Sequence, residues 1–541
     1  MPRGKNPSAG RRRYGPRGRF VLYCALYRRE NAQKEEKQVE DARGVLKRVF
    51  GYDGFRPGQG EIVGAILAGR DVLAVMPTGA GKSLCYQVPA LMLPGVTLVV
   101  SPLISLMQDQ VRALMAVGVR AAYLNSSLTD SQKALMLRRA AEGQYKIIYV
   151  APERLQMPGF IRFARQQAVS MVTVDEAHCI SQWGRDFRPS YMLVRDFVDQ
   201  LPSRPVVAAF TATATDRVRQ DIADQLRLRD PFRLVTGFDR PNLRFETRQL
   251  DPDDKHGALL RLLTEAGEDD PAIVYCSTVR QVTMTVDALQ RAGFAARPYH
   301  GQMDAADRRR YQEEFLYDRV QVMVATNAFG MGIDKPNVRM VVHYNMPRDL
   351  ESYYQEAGRA GRDGAPARCV LLYAASDVGL ARFFIEKEEE DGPLPPEQRH
   401  AAAEAARARL EQMTYYATTR RCLRGELLRY FGEQAPVRCG NCSNCLSPWA
   451  EGTRRKVQVK AASRAIAPGD EQLLAALYEL RRELSRKEKL PAFMVLSDAA
   501  AREVCARRPR TMDELLAIEG IGEGRARRYG RAILREVERF G

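Results

Sequence analysis

The chain has 541 residues, 45% of them hydrophobic; this is more than a single hydrophobic core normally serves, which argues against a one-domain protein. No apolar run reaches membrane-spanning length and no export signal opens the chain, so we expect a soluble, cytoplasmic protein. The formal net charge of +17 predisposes the protein to bind polyanions, because such binding releases their condensed counterions.

The first segment, residues 1–38, is rich in arginine and glycine and has no clear periodicity. Nine of its first 29 residues are Lys or Arg, and none of those 29 is Asp or Glu. We predict a basic, disordered tail. An upstream extension from a wrongly assigned start would have the same composition.

Two series of short apolar runs, separated by amphipathic stretches, follow between residues 39 and 373. The first series predicts buried parallel strands at residues 71–76, 96–101, 146–150, 169–175 and 205–210, with helices such as 106–117 and 130–141 between them. The second series predicts strands at 272–276, 295–299, 320–325, 338–343 and 368–373. Alternating strands and helices form doubly wound sheets with right-handed crossovers. We therefore expect two similar α/β domains, at residues 39–238 and 239–373.

The C-terminal part of the chain has a helical pattern. Helices are predicted at residues 401–413 and 420–430, and a cysteine-rich loop ends near Leu446, so residues 374–446 form one expected unit. Residues 447–469 are polar and are predicted to be a linker. Residues 470–541 have the pattern of a small helical domain with arginine-rich faces.

A glycine-rich segment follows the first predicted strand and reads Pro77-Thr78-Gly79-Ala80-Gly81-Lys82-Ser83. Strand, glycine loop and helix in this order are the context of a phosphate-binding loop, in which backbone N–H groups approach the phosphates. Lys82 would reach the β- and γ-phosphates of ATP, and Ser83 would ligate Mg²⁺. Met76 occupies the position of the usual first glycine.

Acidic residues end the strand predicted at residues 169–175, in the run Asp175-Glu176-Ala177-His178. The carboxyl end of such a strand lies where the phosphate loop and its metal meet. We expect Asp175 to hold Mg²⁺, through water, and Glu176 to orient or deprotonate the attacking water. Taken alone, these four residues could also be the acidic first turn of a helix.

Two arginines, Arg359 and Arg362, stand in a glycine-flanked segment of the second domain, residues 355–364. They suit a cleft that faces the first domain, where they would meet charge developing on the γ-phosphate. An arginine finger of this kind contributes roughly 10³- to 10⁵-fold in rate. Arg362 is the predicted finger and Arg359 its helper, and two surface arginines on a helix are the alternative.

Cysteine is distributed unevenly along the chain. Cys422, Cys439, Cys442 and Cys445 form a cluster whose last three members are spaced as Cys-x-x-Cys-x-x-Cys, which suits a closed, structural Zn²⁺ site. A redox or disulfide role is the alternative, and a cytosolic location makes it less favoured. The other six are scattered among apolar neighbours and are predicted to be buried free thiols: Cys24, Cys85, Cys179, Cys276, Cys369 and Cys505.

Several motifs stand in order along the two α/β domains. They are Phe55-Arg56-Pro57-Gly58-Gln59, the phosphate loop, Ser101-Pro102-Leu103-Ile104-Ser105-Leu106, Ala151-Pro152-Glu153-Arg154-Leu155, the acidic run, Thr211-Ala212-Thr213-Ala214, Ala325-Thr326 with Phe329-Gly330-Met331-Gly332, and the double-arginine segment. In this order they resemble a RecQ-family DNA helicase of helicase superfamily two. The resemblance implies an α/β fold with two tandem RecA-like parallel-sheet domains, followed by a helical zinc-binding subdomain and a small all-α HRDC domain.

The resemblance also implies roles around the nucleotide. Tyr52 would stack on adenine, Arg56 would support the base and Gln59 would read its edge, which suits the chemistry of adenine. The implied nucleotide-binding set is Tyr52, Arg56, Gln59, Thr78, Gly79, Ala80, Gly81, Lys82 and Ser83.

An aromatic-rich segment, residues 177–189, resembles the DNA-contacting loop of the family. Trp183 and Phe187 could stack on bases of single-stranded DNA, each contact worth roughly 1–3 kcal/mol. Arg185 and Arg188 could hold phosphates. Because the loop is contiguous with Glu176, DNA binding to the loop would affect the position of this water-activating residue. Core packing by the two aromatic side chains is the alternative.

The C-terminal unit resembles an HRDC domain through residues 491–498 and 515–522. The glycine turn after Ile518, with Arg525, Arg527 and Arg528 beyond it, could bind DNA phosphate, or it could be a helix connection with a solvated basic face. A winged-helix domain, which normally lies between the zinc site and HRDC, has no room between Cys445 and Asp470. Its absence puts in question whether the family's processivity, structured-DNA preference and docking of single-strand-binding protein carry over to this chain.

The implied function is an ATP-dependent DNA helicase that moves 3′ to 5′ on single-stranded DNA and unwinds duplex or branched DNA in recombination and repair. Its implied partners are DNA and, as candidates, single-strand-binding and repair proteins, with the protein acting as a nucleoid-associated monomer. An RNA helicase is one alternative, since Asp175-Glu176-Ala177-His178 spells DEAH. A non-enzymatic annealing or scaffold protein is the other, and it would require a broken ATPase.

Overall fold

The computed structural model describes residues 38–181, 187–267, 270–329, 335–392, 396–447, 470–488 and 490–540. The predicted basic tail, apart from Gln38, and the predicted linker, apart from Ser447, lie outside these residues. Among the helices within the described ranges, none is both long and apolar enough to cross a lipid bilayer.

Seven parallel strands form the first sheet: β1 (Val72–Val75), β2 (Val96–Val100), β3 (Ala121–Leu124), β4 (Ile147–Val150), β5 (Val169–Val174), β6 (Val206–Thr211) and β7 (Phe232–Val235). Their order across the sheet is β3-β4-β2-β5-β6-β1-β7. Strands β1, β2 and β4 are buried along their whole length because they consist mainly of Val, Leu and Ile. This composition is expected of strands that helices cover on both faces.

Helices cover both faces of the first sheet. The sheet therefore lies between two apolar cores, one on each face. The helices are α1 (Gln59–Leu67), α2 (Lys82–Met92), α3 (Ile104–Ala116), α4 (Asp130–Ala141), α5 (Pro158–Gln166), α6 (Leu193–Asp199) and α7 (Asp216–Gln225), preceded by a helical turn at Leu46–Phe50. The start of α4 is fixed by a capping box. Thr129 Oγ1 accepts the N–H of Gln132 at 3.3 Å, and Gln132 Oε1 accepts the N–H of Thr129 at 2.9 Å.

Six parallel strands form the second sheet: β8 (Leu243–Gln249), β9 (Ala272–Tyr275), β10 (Ala296–Tyr299), β11 (Val322–Ala325), β12 (Met340–His343) and β13 (Ala367–Tyr373). Their order is β10-β11-β9-β12-β13-β8. The helices of this domain are α8 (Asp254–Glu265), α9 (Val279–Arg291), α10 (Ala305–Leu316) and α11 (Leu350–Ala357). Two parallel α/β sheets in series confirm the predicted fold class.

The remaining described residues are helical. After β13 the chain forms α12 (Ala375–Asp391), α13 (Pro396–Thr418), α14 (Leu423–Tyr430) and α15 (Ser443–Leu446). The C-terminal unit contains α16 (Asp470–Glu488), α17 (Ala492–Val495), α18 (Asp498–Arg507), α19 (Met512–Leu516) and α20 (Glu523–Arg539), around its own apolar core. The helical pattern predicted for both units is confirmed.

Three strands were not predicted from the sequence: β3, β7 and β8. Strands β7 and β8 lie at sheet edges. Both contain exposed or partly exposed charged residues, and these residues interrupt the apolar run. Strand β3 has only four residues, two of them alanine. Edge strands need less apolar surface than central ones, which is why the search for continuous apolar runs missed them.

The strand order brings three loops together at one edge of the first sheet. Strands β5, β6 and β1 are neighbours and parallel, so the segments after their carboxyl ends are adjacent. These segments contain the glycine-rich loop, the acidic run and the Thr211-Ala212-Thr213 motif. The carboxyl edge of a parallel sheet is the usual location of a ligand site.

Candidate active site

The loop between β1 and α2 has the backbone that a phosphate-binding loop requires. Gly79 and Gly81 have φ angles of +84° and +81°, which glycine adopts at little cost. Because α2 begins at Lys82, its free N–H groups and positive dipole end face the loop. Thr78 Oγ1 and Lys82 Nζ are buried here, and neither makes a hydrogen bond to any residue in the described ranges. These atoms fit a bound polyphosphate.

Residues around the start of α1 brace this loop. Arg56 Nη1 donates to Gly79 O at 2.6 Å. Gln59 Nε2 donates to the carbonyls of Ala80 and Gly81 at 2.9 and 3.1 Å, and Gln59 Oε1 accepts the N–H of Arg56 at 2.9 Å. Both polar ends of the Gln59 amide are therefore engaged, so this side chain holds the loop here. Its predicted reading of the adenine edge stays a prediction.

Asp175 and Glu176 follow β5 and form a pair of adjacent carboxylates, the first buried and the second partly exposed to the cleft. Asp175 Oδ1 accepts the N–H of Glu176 at 3.0 Å, and Glu176 Oε1 lies 4.0 Å from Lys82 Nζ. Burial and the adjacent Glu176 carboxylate raise the pKa of Asp175 to about 7. Burial also opposes ionisation of Glu176, but Lys82, His178 and the facing arginines outweigh it and lower its pKa. A divalent cation would relieve the repulsion between the two carboxylates.

Glu176 is connected to the second domain by a chain of polar contacts. His178 Nδ1 lies 3.4 Å from Glu176 Oε2 and 2.8 Å from Thr211 Oγ1. Thr211 Oγ1 donates to Thr213 O at 3.1 Å, and Thr213 Oγ1 accepts from Gln355 Nε2 at 2.9 Å. Gln355 belongs to α11, so a shift of the second domain can alter the setting of Glu176 through these contacts.

Arg359 and Arg362 face the glycine-rich loop across the cleft between the two sheets, and line that cleft together with Lys82. Arg359 is only 7% exposed, and burial lowers the pKa of its guanidinium. The close approach depends on Gly358, where an added Cβ would lie 2.4 Å from Thr78 Oγ1. The structure thus brings together the predicted phosphate-binding, acidic and arginine residues.

A further arginine, Arg240, joins the two domains at the same place. Arg240 Nη1 donates to Thr78 O at 2.7 Å and to Gly358 O at 3.2 Å. Arg240 Nη2 donates to Ala360 O at 3.0 Å and to Gly361 O at 2.8 Å. The rigid, planar fork of one guanidinium therefore holds the phosphate loop against the double-arginine segment.

Sequence reasoning did not identify Arg240. Its partner Thr78 is 162 positions away in the chain, and the connection between β7 and β8 has no periodic pattern. The only sequence feature that could have indicated its role is weak. Arg240 is a charged residue directly before Pro241, at the boundary between the two α/β domains.

The predicted DNA loop is fixed at its C-terminal end. The N–H of Arg188 donates to Cys179 O at 2.8 Å, and Arg188 Nη1 donates to Pro102 O at 3.2 Å. Phe187 is half-buried next to it. Outside the described residues lie Trp183 and Arg185. The DNA-binding roles of all four side chains stay predictions.

Four cysteines converge around the starts of α14 and α15. The sulfur atoms of Cys422, Cys439, Cys442 and Cys445 all lie within 4.8 Å of one another. Tetrahedral Zn²⁺ with Zn–S bonds of about 2.3 Å needs sulfur atoms roughly 3.8 Å apart, so small adjustments would complete the site. Hydrogen bonds from the Cys422 and Cys442 thiols lower the pKa of Cys439. The cluster fits a closed structural zinc site.

The isolated cysteines behave as predicted wherever the structure describes them. Among the described residues, the cysteines that are buried and form no disulfide bond include Cys85, Cys179, Cys276, Cys369 and Cys505. Burial raises the pKa of Cys85, Cys276 and Cys369 to about 12, which keeps these thiols protonated and unreactive. Cys24 lies outside the described residues.

The zinc-binding unit packs on the connection between the two sheets. Phe431 stacks on Phe238 with ring centroids 4.3 Å apart and an interplanar angle of 15°. Arg424 is buried, pairs with Asp239 and donates from Nη2 to Leu243 O at 2.6 Å. Phe238 and Asp239 directly precede the bridging arginine, so this unit supports the side chain that joins the two domains.

Four protein families match successive parts of the chain. They are the DEAD/DEAH box helicase over residues 56–222, the helicase conserved C-terminal domain over 254–364, RecQ zinc-binding over 375–446 and the HRDC domain over 470–537. The ATP-dependent DNA helicase RecQ of Bacillus subtilis (strain 168) is 35% identical, and the alignment covers 92% of this chain and 98% of that protein. The chain belongs to the RecQ family of ATP-dependent DNA helicases.

A second RecQ, from Haemophilus influenzae, is 44% identical over 75% of this chain and 64% of its own length. Membership of the RecQ family identifies the nucleotide as ATP and the metal of the four cysteines as Zn²⁺. The zinc-binding match ends at residue 446 and the HRDC match begins at residue 470, so only residues 447–469 lie between them. A domain needs about 50 residues or more. This RecQ chain therefore has no room there for a winged-helix domain.

One solved structure, S. cerevisiae Dbp5 bound to RNA and ADP BeF3, is similar with a TM-score of 0.50. The similarity covers 69% of this chain and 97% of that chain at 17% sequence identity. At such low identity the likeness concerns the fold alone, namely the tandem sheets.

We predict that Arg240→Lys lowers kcat for DNA-stimulated ATP hydrolysis by about 10- to 100-fold, because misplacing a catalytic group by about 1 Å costs this much. One ammonium cannot reach the four carbonyls that the guanidinium holds. Steady-state ATPase assays test the prediction, with Arg233→Lys on edge strand β7 as the matched control. An unchanged kcat in Arg240→Lys would show that the bridge is dispensable.

We also predict that Cys442→Ser loses the zinc ion and most soluble expression, because zinc binding in such sites contributes on the order of 10–16 kcal/mol to folding. Metal content by atomic emission and yield of soluble protein are the measurements. Cys505→Ser, at a buried thiol of the HRDC domain, should keep its zinc. Full zinc content in Cys442→Ser would refute a four-thiolate site.

Proposed function

We propose that this RecQ helicase hydrolyses ATP in the cleft between its two sheets, and thereby moves 3′ to 5′ along one DNA strand and unwinds duplex or branched DNA. The single observation that carries the proposal is the composition of the cleft. One domain contributes Lys82, Asp175 and Glu176, and the other contributes Arg359 and Arg362. A nucleotide bound there would touch both domains, so its hydrolysis can change how they meet.

The proposed ATP site assigns one task to each charged group. Lys82 binds the β- and γ-phosphates, and the orphaned hydroxyl of Thr78 lies within the same loop. Glu176 orients or deprotonates the attacking water; its lowered pKa keeps the carboxylate ionised, so that it can accept a hydrogen bond from that water. Arg362, helped by Arg359, stabilises charge that develops on the γ-phosphate.

Ser83 and Asp175 are the proposed ligands of Mg²⁺. When bound, the ion neutralises phosphate charge and polarises the γ-phosphoryl group. The raised pKa of Asp175 supports the assignment, because a buried carboxylate beside another carboxylate is expected where a cation normally binds. Ser83 lines the same cleft.

We infer that ATP binding closes the cleft and hydrolysis opens it, so that the two domains grip the strand in turn. DNA contact would be reported through the segment after Glu176, where Trp183 and Phe187 stack on bases and Arg185 and Arg188 bind phosphates. The anchoring of Arg188 to the backbone of Cys179 supports this coupling, since Cys179 lies three residues after Glu176.

The base end of the proposed site contains Tyr52 for stacking, Arg56 for support and Gln59 for recognition of adenine. The backbone of Gly79, Ala80 and Gly81 would wrap the phosphates. The cellular role we propose is recombination and repair by a monomer at the bacterial nucleoid. Single-strand-binding protein and repair proteins are its candidate partners.

Strand displacement on matched 3′-tailed and 5′-tailed DNA duplexes tests the function. We expect ATP-dependent unwinding of the 3′-tailed duplex only, and no unwinding by Lys82→Ala, because the γ-phosphate loses its lysine. Lys146→Ala, far along the same sheet at the start of β4, is the matched control. Normal unwinding by Lys82→Ala would refute the ATP site, and preferential unwinding of a matched RNA duplex would favour the RNA helicase alternative.

For the arginine finger, we expect Arg362→Ala to lower kcat by about 10³-fold or more while ATP binding persists. The two quantities are measured by single-turnover hydrolysis and by calorimetric ATP titration. Arg348→Ala, at an exposed pair with Glu388 in the same domain, serves as control. A rate within tenfold of wild type would assign the finger to another residue.

A further inference from the structure

The HRDC domain packs against the first helicase domain next to the nucleotide cleft. Its docking turn (residues 519–522) touches the residue that precedes Tyr52: the N–H of Gly520 donates to Gly51 O at 2.8 Å. Gly51 has a φ of +80° and ends the helical turn before α1. A backbone hydrogen bond from another domain therefore holds the segment that carries the proposed adenine-stacking side chain.

Glycines allow the two backbones to approach this closely. A Cβ on Gly522 would lie 2.9 Å from the Gly51 nitrogen and 2.9 Å from Val49 O. A Cβ on Gly524 would lie 2.8 Å from Val117 O, at the end of α3. These contacts meet backbone atoms, which cannot rotate away, so any larger residue at either position would force the domains apart.

Apolar and charged contacts extend the interface. Ala116 of α3 is buried within the apolar core of the HRDC domain. On the other side, the buried Lys335 of the second helicase domain pairs with Asp318 at 2.5 Å. Burial lowers the pKa of Lys335, and its partner Asp318 opposes this most strongly. The HRDC domain thus contacts the first helicase domain both near Gly51 and at the end of α3.

The docking turn also contributes a side chain to the nucleotide cleft. Glu519 lines the cleft together with Tyr52, Gly54 and Arg56, and the hydrogen bond from the next residue, Gly520, to Gly51 places it near Tyr52. A carboxylate repels phosphate but accepts hydrogen bonds from the hydroxyls of a sugar, as acidic residues do in dinucleotide sites. Its position at the base end therefore fits the ribose of ATP.

Arg525 holds the docking turn in shape. Arg525 Nη1 donates to Gly520 O at 2.6 Å, and Arg525 Nε donates to Met494 O at 3.0 Å. Burial lowers the pKa of this guanidinium. Arg525 therefore fixes the turn whose Gly520 N–H donates to the carbonyl of Gly51, the residue before Tyr52.

We propose that the HRDC domain completes the ATP site: Glu519 accepts a hydrogen bond from a ribose hydroxyl, and the docked turn holds Tyr52 against the base. The inference rests on the proposed ATP site. Because coupling between two binding events is reciprocal, bound ATP strengthens HRDC docking as much as docking strengthens ATP binding. The HRDC domain would then leave the cleft more readily after the nucleotide has gone.

Gly524→Ala in the full-length, zinc-loaded protein tests the docking. Alanine in the first turn of α20 favours the helix, so the HRDC fold should be kept while its contact with Val117 is blocked. We expect KM for ATP to rise about three- to tenfold, the size of one lost hydrogen bond, with kcat unchanged. Small-angle scattering should show a larger radius of gyration, and thermal unfolding should exclude misfolding.

The matched control is Gly379→Ala, at a glycine of α12 where an added Cβ meets nothing within 4 Å. It should behave as wild type in every assay. If Gly524→Ala undocks the HRDC domain and KM stays unchanged, the proposal is overturned.

Glu519→Ala tests the ribose contact separately, with ATP, 2′-deoxyATP and 3′-deoxyATP as substrates. Wild type should have a KM about three- to tenfold higher for at least one deoxynucleotide, and Glu519→Ala, which has no side-chain acceptor, should remove that difference. A merely structural Glu519 would leave the discrimination intact, and that result would overturn the ribose contact. Normal hydrolysis by Lys82→Ala would instead refute the ATP site itself, so the two failures are distinguishable.

Discussion

The rest of the structure depends on the charges buried in one narrow cleft. Burying an ion costs several kcal/mol unless it is closely paired, yet Lys82 and Glu176, which carry opposite charges here, are 4.0 Å apart. Asp175 has another carboxylate as its neighbour, and Arg359 faces Lys82 across the cleft. A polyphosphate with a divalent cation supplies both signs of charge that the cleft lacks. This charge balance supports the proposal that bound ATP favours closure and so biases the arrangement of the two domains.

The connection between the two sheets holds the two sides of the cleft together. Arg240 binds carbonyls of both domains, and the preceding Phe238 stacks on Phe431 of the zinc-binding unit. The four cysteines are not among the residues that line the nucleotide cleft, but zinc held by Cys422 would fix the start of the helix that carries Arg424, and this arginine pairs with Asp239. A zinc ion bound there would act on the cleft through the position of this helix, as a structural ion does.

The sequence predicted what local chemistry encodes and missed what tertiary contacts create. Continuous apolar runs identified the central strands, and the glycine loop, acidic run and cysteine spacing each carry their chemistry within a few residues. Edge strands β7 and β8 escaped because half-exposed positions interrupt their pattern. Arg240 and the loop-bracing contacts of Gln59 could not be predicted, since their partners are distant in sequence. No local pattern around Glu519 indicates that it lines a cleft of another domain.

The short segment between the zinc-binding unit and HRDC keeps the HRDC domain near the nucleotide cleft. With residues 447–469 alone between the two matched families, the HRDC domain stays close to the helicase core, and its contact near Gly51 is favoured by high local concentration. Arg240 links the same cleft to the connection between the sheets, and the hydrogen bond from Gly520 to Gly51 links it to HRDC. If nucleotide binding closes the cleft as proposed, the nucleotide, this connection and HRDC share one equilibrium between closed and open forms. This chain has no room for a winged helix between the zinc-binding unit and HRDC. The HRDC domain, which takes part in this equilibrium, also has exposed arginines on α20. A nucleic acid could bind to these arginines, because they carry positive charge on the outer surface.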